Sequence, residues 1–195
     1  MFWGDVILHI DLLDEVPEDL ICLNWDYSNK VTEEKTRIMA ELKKEQYASQ
    51  LVWNWNQLVS YMDKAFENIR RMGNYRVKYN ATWVLNTDLG YFGNINLLAN
   101  SMPGMIYGAA LSWNPNYETS NNLESDFIEI YKAISRIEYG DKWLKVVSLL
   151  NDLTKNHKIR WEDVVAFKER YDTLKKKLET FDVEYLENEY KMAYK

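Results

Sequence analysis

Through its first half the chain alternates short apolar runs with longer amphipathic stretches. Residues 1–8 open as a β-favouring run, residues 11–16 read as a short helical segment closed by Pro17, and residues 20–25 form a second apolar run ending in Asp26 and Tyr27. Thr32 is placed to cap a helix, with Lys35 where a Glu usually stands. Glu33 and Glu34 suit its first turn, and Ile38, Met39 and Leu42 supply an apolar side. Residues 50–55 are a third strand candidate. Leu58, Met62, Phe66 and Ile69 then repeat at helical spacing over 58–72, up to Gly73. A fourth apolar run, 81–85, gives way abruptly to Asn86, Thr87, Asp88 and Gly90, as a buried strand does on entering a polar loop. Residues 102–113, rich in small side chains, read as a helix ending ahead of Pro115. Strands alternating with helices imply βαβ units and a parallel α/β sheet.

From Leu123 onward the period is helical only. Leu123, Phe127, Ile130, Ile134 and Ile137 make one stripe, and Trp143, Val146, Val147, Leu150 and Leu153 a second. Val164, Phe167, Tyr171, Leu174, Leu178 and Phe181 make a third. Three such stripes imply an antiparallel helical bundle with turns at Gly140 and 156–158, and the charged, aromatic tail 182–195 extends the last helix. The expected organisation is an α/β domain over 1–118 and a helical bundle over 119–195.

Composition narrows the function. At 195 residues and 47% hydrophobic content the chain can bury a core, and its net charge of -6 without a dense basic run argues against nucleic acid. The single Cys22 lies inside LICLNW and reads as a buried small hydrophobe. Two isolated histidines, His9 and His157, nominate no metal site, and no cofactor motif is present. No run has the apolar length to cross a bilayer, and the N-terminal residues hold no basic region followed by an apolar core, so the visible sequence alone reads as cytoplasmic and without a membrane partner, and the compartment stays open. The eight Trp and 14 Tyr exceed what a core of this size needs; rings beside polar groups suit sugar or base faces, although many aromatics simply pack. Ligands of parallel α/β folds sit at the carboxyl ends of strands, which singles out Thr87 and Asp88, while Asp and Gly after a strand are also ordinary turn chemistry.

The opening MFWGDVILHIDLLDEVPEDLICLNWDYS resembles the second half of the barrel of glycoside hydrolase family 20, the exo-β-N-acetylhexosaminidases. The register holds through Trp3, Gly4, Asp5, His9, Leu12, Pro17, Asp19, Ile21, Trp25 and Tyr27. WNQLVSYMDKAFENI is similar to a later motif of that family at Trp55, Asn56, Asp63, Ala65, Asn68 and Ile69, and ATWVLNTDLGYFGN resembles the loop after its eighth strand. The resemblance covers residues 1–115 and implies strands five to eight of a (β/α)8 TIM barrel, followed by a helical extension. Four βα units do not close such a barrel, so the missing half would come from another chain or a duplicated copy, or be lacking altogether in a truncated product.

In that family the substrate's own acetamido oxygen attacks the anomeric carbon, while a Glu protonates the leaving oxygen and the adjacent Asp orients the acetamido group. That Asp-Glu pair ends the fourth strand, for which this sequence has no counterpart. Asp14-Glu15 falls between the first two strands, away from any strand's carboxyl end, and is assigned no catalytic role. The resemblance therefore implies no catalytic residue here. It implies a wall binding an N-acetylhexosamine-containing glycan, built from Trp3, Asp5, Trp25, Tyr27, Trp55, Asn56, Thr87 and Asp88; barrel packing is the competing explanation for each Trp. The sequence departs from the family at Leu89 (Trp), Tyr91 (an acid), Asn94 (His), Asp26 (Gly) and Ser28 (Glu), all near that wall. A non-catalytic carbohydrate-binding module is the alternative.

Overall fold

The computed structural model describes residues 1–55, 59–89, 97–115, 123–154 and 164–180, without the side chains of 123–125, 164–167, 170 and 178. The chain divides into two compact units, Met1–Trp53 with Lys64–Leu89 and Gly104–Glu118, and Asn54–Asp63 with Gly90–Pro103 and Thr119–Lys195.

The first unit holds a four-stranded, wholly parallel sheet whose order follows the chain: β1 (Phe2–Trp3), β2 (Cys22–Trp25), β3 (Gln46–Leu51) and β4 (Trp83–Thr87). The crossovers carry two 3-10 turns after β1 (Gly4–Leu8 and Ile10–Glu15), then helix α1 (Glu34–Glu41), helix α2 (Met62–Lys78) and, after β4, helix α3 (Met102–Trp113). An all-parallel sheet with neighbours taken in sequence order is the alternation read from the sequence. Asp14 and Glu15 lie exposed in the second 3-10 turn.

Alternate residues along a strand face opposite sides, and individual side-chain contacts fix which side meets the helices. Cys22 packs with Met39 of α1 and with Ile7 and Leu13. Asn24 Nδ2 donates to Gln46 Oε1 at 2.8 Å and to Thr36 Oγ1 at 3.3 Å, while Gln46 Nε2 donates to the Thr36 carbonyl. Ala48 packs with Met72 of α2 and with Val31. Asn86 Nδ2 donates to the Gly104 carbonyl at the start of α3. That approach needs small residues: a Cβ on Gly108 would collide with the Asn86 amide, and one on Gly104 would stand 2.8 Å from Val52 Cβ. Phe66 of α2 and Tyr107 of α3 stack at 4.3 Å between centroids. The opposite face carries Trp3, Leu23, Trp25, Tyr47, Ser49, Leu51, Trp83, Leu85 and Thr87 by register, with Trp3 and Trp83 exposed by 48% and 60%.

Several boundaries differ from the sequence reading. The opening strand shrinks to Phe2–Trp3, because Gly4 packs on the Leu23 carbonyl and the chain coils there. β3 spans Gln46–Leu51 rather than 50–55: the polar QYASQL is sheltered by the amide network above, and the more apolar VWNW follows the strand. Thr32 caps nothing, since α1 starts at Glu34 with Glu33 in the cap position and no side-chain cap bond. α2 continues through Gly73 to Lys78, carried by Met72 against Ala48 and by Tyr75, whose hydroxyl donates to the Val31 carbonyl.

The second unit contributes α4 (Leu123–Ile137), α5 (Val146–Thr154) and α6 (Val164–Glu179), with α5 in contact with both neighbours. Ile130, Ile134, Val146, Val147, Leu150 and Leu174 are buried as their stripes require. Ile137, Trp143 and Tyr171 are not, at 79%, 58% and 53% exposure: Ile137 ends α4, Trp143 precedes α5, and α6 turns Tyr171 outward. Phe181 and the turn at 156–158 lie outside the described residues, as does the tail. Gly140 makes its turn with φ of 62°. Buried Asp141 then caps α5, its carboxylate accepting from the backbone N–H groups of Trp143 and Val146 at 2.8 Å each. Asp63 Oδ1 accepts from the Tyr131 hydroxyl and from Asn151 Nδ2, both at 2.8 Å.

Candidate functional site

The carboxyl ends of adjacent parallel strands lie side by side, and two residues past each stand Asp5 after β1, Tyr27 after β2, Trp53 after β3 and Leu89 after β4; by register these ends step outward, Asp5 level with Trp25, Tyr27 level with Leu51, and Trp53 level with Leu89. Direct contacts join the first three into a wall. Trp25, the last residue of β2, donates its Nε1–H to Asp5 Oδ2 at 3.3 Å. Its ring lies 4.9 Å from that of Tyr27, tilted by 35°. Trp53 donates its Nε1–H to the Tyr27 carbonyl at 2.6 Å. Three strand ends are thus bridged by indole and phenol rings with a carboxylate at one margin.

Two ammonium groups sit over this wall. Lys35, in the first turn of α1, places Nζ 5.4 Å from the Trp25 ring centroid and 3.4 Å from Asp26 Oδ2. Lys64, in the first turn of α2, places Nζ 4.5 Å from the Trp53 ring centroid. Such cation–π contacts orient the rings and hold charge against them. With Asp5 and Asp26 against Lys35 and Lys64 the cluster is balanced in formal charge, which suits a neutral, hydroxyl-rich ligand better than an ion.

The loop after β2 is rigidly held. The Asp26 carboxylate accepts from Ser28 N–H at 3.0 Å. Asn68 of α2 donates to the carbonyls of Asp26 and Ser28 at 2.7 and 2.9 Å, and its Oδ1 accepts from Leu51 N–H at the end of β3. Asn68 therefore ties the ends of β2 and β3 to one helix. Thr87 donates its hydroxyl proton to the Gln50 carbonyl at 2.6 Å, so it secures β4 against β3. Burial pushes the Cys22 thiol up to about 12, with the nearby charge of Asp5 adding to it; the buried, protonated thiol is no nucleophile.

Of the residues expected in the wall, Asp5, Trp25 and Tyr27 are joined by direct contacts. Trp3 projects from β1 on the same face as Trp25, half-exposed, and Asp88 follows β4, half-buried. Trp55 belongs to the other unit, and Asn56 lies outside the described residues, as do Tyr91 and Asn94. The sequence reading does not single out Trp53, Lys35 or Lys64 for the wall. An offset of two residues past the strand points to Trp53 once the strand is set at Gln46–Leu51; nothing in the sequence marks the two lysines. Among the described residues no group of three His, Cys, Asp or Glu side chains could hold a metal ion, and no helix is long and apolar enough to cross a membrane. Comparison with family models, curated proteins and solved structures finds no match to this chain.

Proposed function

We propose that this chain is the carbohydrate-binding part of a glycosidase-type barrel, a counterpart of strands five to eight in the exo-β-N-acetylhexosaminidases it resembles. The observation that carries the reading is the wall Asp5–Trp25–Tyr27–Trp53. Pyranose rings present C–H faces to aromatic side chains and hydroxyls to carboxylates, and the wall offers both along three adjacent strand ends.

The same reading assigns no hydrolysis to the chain by itself. The substrate-assisted route needs an acid and an acetamido-orienting carboxylate at one strand end, and these residues supply single carboxylates at separate ends. A second half-barrel fits the open sheet: a parallel sheet is normally covered on both faces, and here Trp3 and Trp83 stand exposed on the face opposite the helix contacts. The alternative, a binding module that never cleaves, is favoured by Leu89. It stands half-buried at the wall's fourth position, where the resemblance calls for a Trp under the sugar ring.

Chitobiose titration followed by Trp fluorescence tests the reading. A saturable change that is lost in Trp25→Ala, with no release of nitrophenol from p-nitrophenyl N-acetylglucosaminide, is expected. A flat titration removes the carbohydrate assignment, and turnover by the isolated chain removes the claim that it does not cleave alone.

A further inference from the structure

Four described residues other than glycine have a positive φ, and Trp53 differs from the rest. Lys43 and Asn80 lie two residues past α1 and α2, where a left-handed residue closes a helix: Lys43 N–H donates to the Ala40 carbonyl and Asn80 N–H to that of Val77. Leu144 falls in the turn that Asp141 organises ahead of α5. Trp53 follows a strand, closes no helix, and adopts φ of 56° with one of the bulkiest side chains available. Glycine or asparagine would make this turn with less strain, so turn geometry does not account for a Trp.

The side chain does. With the backbone left-handed, the indole N–H reaches the Tyr27 carbonyl at 2.6 Å, and the ring lies under the Lys64 ammonium at 4.5 Å. Tyr27 is the residue whose ring meets Trp25, and Trp25 in turn holds Asp5. Strain at a strand's carboxyl end persists when surrounding contacts over-determine it, and here those contacts lead along the wall. Trp53 also stands two residues before Trp55, the position at which the family-like motif carries its Trp, so the resemblance assigns it no role.

We infer that Trp53 is a positioning residue for saccharide binding: its left-handed backbone is retained so that the indole N–H holds the Tyr27 carbonyl and fixes the Trp25–Tyr27 ring pair against which a neutral pyranoside packs. The inference rests on the carbohydrate reading for its ligand, while its structural half, control of the ring pair, is separately measurable.

The test uses the full chain with Trp53→Gly and Trp53→Phe. Each is followed by urea unfolding, by chitobiose calorimetry and by the circular-dichroism couplet of the close Trp25–Tyr27 pair, a signal that general stability does not set. Trp53→Gly relieves the backbone but gives up the indole hydrogen bond and the Lys64 contact, so its unfolding midpoint should fall modestly, while chitobiose binding falls at least about tenfold and the couplet shrinks. Trp53→Phe keeps a ring beneath Lys64 but loses the N–H, and should show a smaller loss of affinity with a reduced couplet; should the Gly variant fail to fold, this variant decides. A full couplet with undiminished affinity in the folded variants overturns the inference. If the wild-type chain binds no saccharide, the carbohydrate reading fails, and the couplet alone then decides whether Trp53 positions the ring pair.

Discussion

The two faces of the parallel sheet solve opposite problems. The face that meets α1, α2 and α3 is built from small or amide side chains, Cys22, Asn24, Gln46, Ala48 and Asn86, each matched to a named partner on a helix or its flank. The other face carries the rings of Trp3 and Trp83, exposed by 48% and 60%, beside buried Ser49, Leu51 and Thr87, and leads to the strand ends where Asp5, Trp25, Tyr27 and Trp53 join. Close packing leaves little freedom on the first face. Exposed aromatic area, which contributes little to this unit's own stability, is what a ligand or a further layer can use.

If that contrast holds, substitutions should divide by face. Gly108→Val drives a branched side chain into the Asn86 amide and should cost about 2–3 kcal/mol, read as a lowered urea midpoint. Gln46→Leu should come next. It leaves Asn24 Nδ2 and the Thr36 carbonyl short of a partner inside the core, at about 1–3 kcal/mol by the same assay. Trp83→Ser, on the exposed face, should stay within about 0.5 kcal/mol of wild type. A large loss there would show that the ring is already packed and would break the comparison.

Two pH effects sharpen it further. Burial works to raise the carboxyl of Glu67 on α2, but Arg70 and Arg71, at 2.7 Å each, outweigh burial and hold it below its ordinary 4.5. Its stabilisation is complete above that value and is lost as pH falls through the lower folded value, and Glu67→Gln should reduce the acid-side loss of stability in an unfolding series. Cys22 acts at the other extreme. Its thiol ionises near 9.0 in the unfolded chain and about 12 in the folded one, so the unfolded state alone sheds the proton as pH rises above 9 and stability declines there. Cys22→Ala should flatten the decline.

Much of the sheet is legible in the sequence because its signals are local. The run LICLNW marks β2, the apolar run 81–85 marks β4 although the strand itself spans Trp83–Thr87 and so continues through Asn86 and Thr87, and α3 occupies the residues 102–113 read from its small-residue helix pattern. β3 lies ahead of its expected place because hydrophobicity is a proxy for burial, and here the buried amide of Gln46 accepts from that of Asn24, twenty-two residues away in sequence. That shift carries the site with it: a strand drawn to 55 points to Trp55, whereas the strand ending at Leu51 brings Trp53 into the wall. The lysines over the rings are illegible for a different reason, since each reaches its ring from the first turn of a helix that follows the strand. Trp53's left-handed backbone has no sequence signal at all.

The most direct measurement is nitrogen–proton correlation of the eight tryptophan indoles during a chitobiose titration, with peaks assigned by single Trp→Phe variants. The indole N–H signals of Trp25 and Trp53 should shift together and saturate, while that of Trp113, exposed by 92% at the end of α3, stays still. Motionless Trp25 and Trp53 signals, or a uniform drift of all eight, would contradict a saccharide-binding wall at these strand ends.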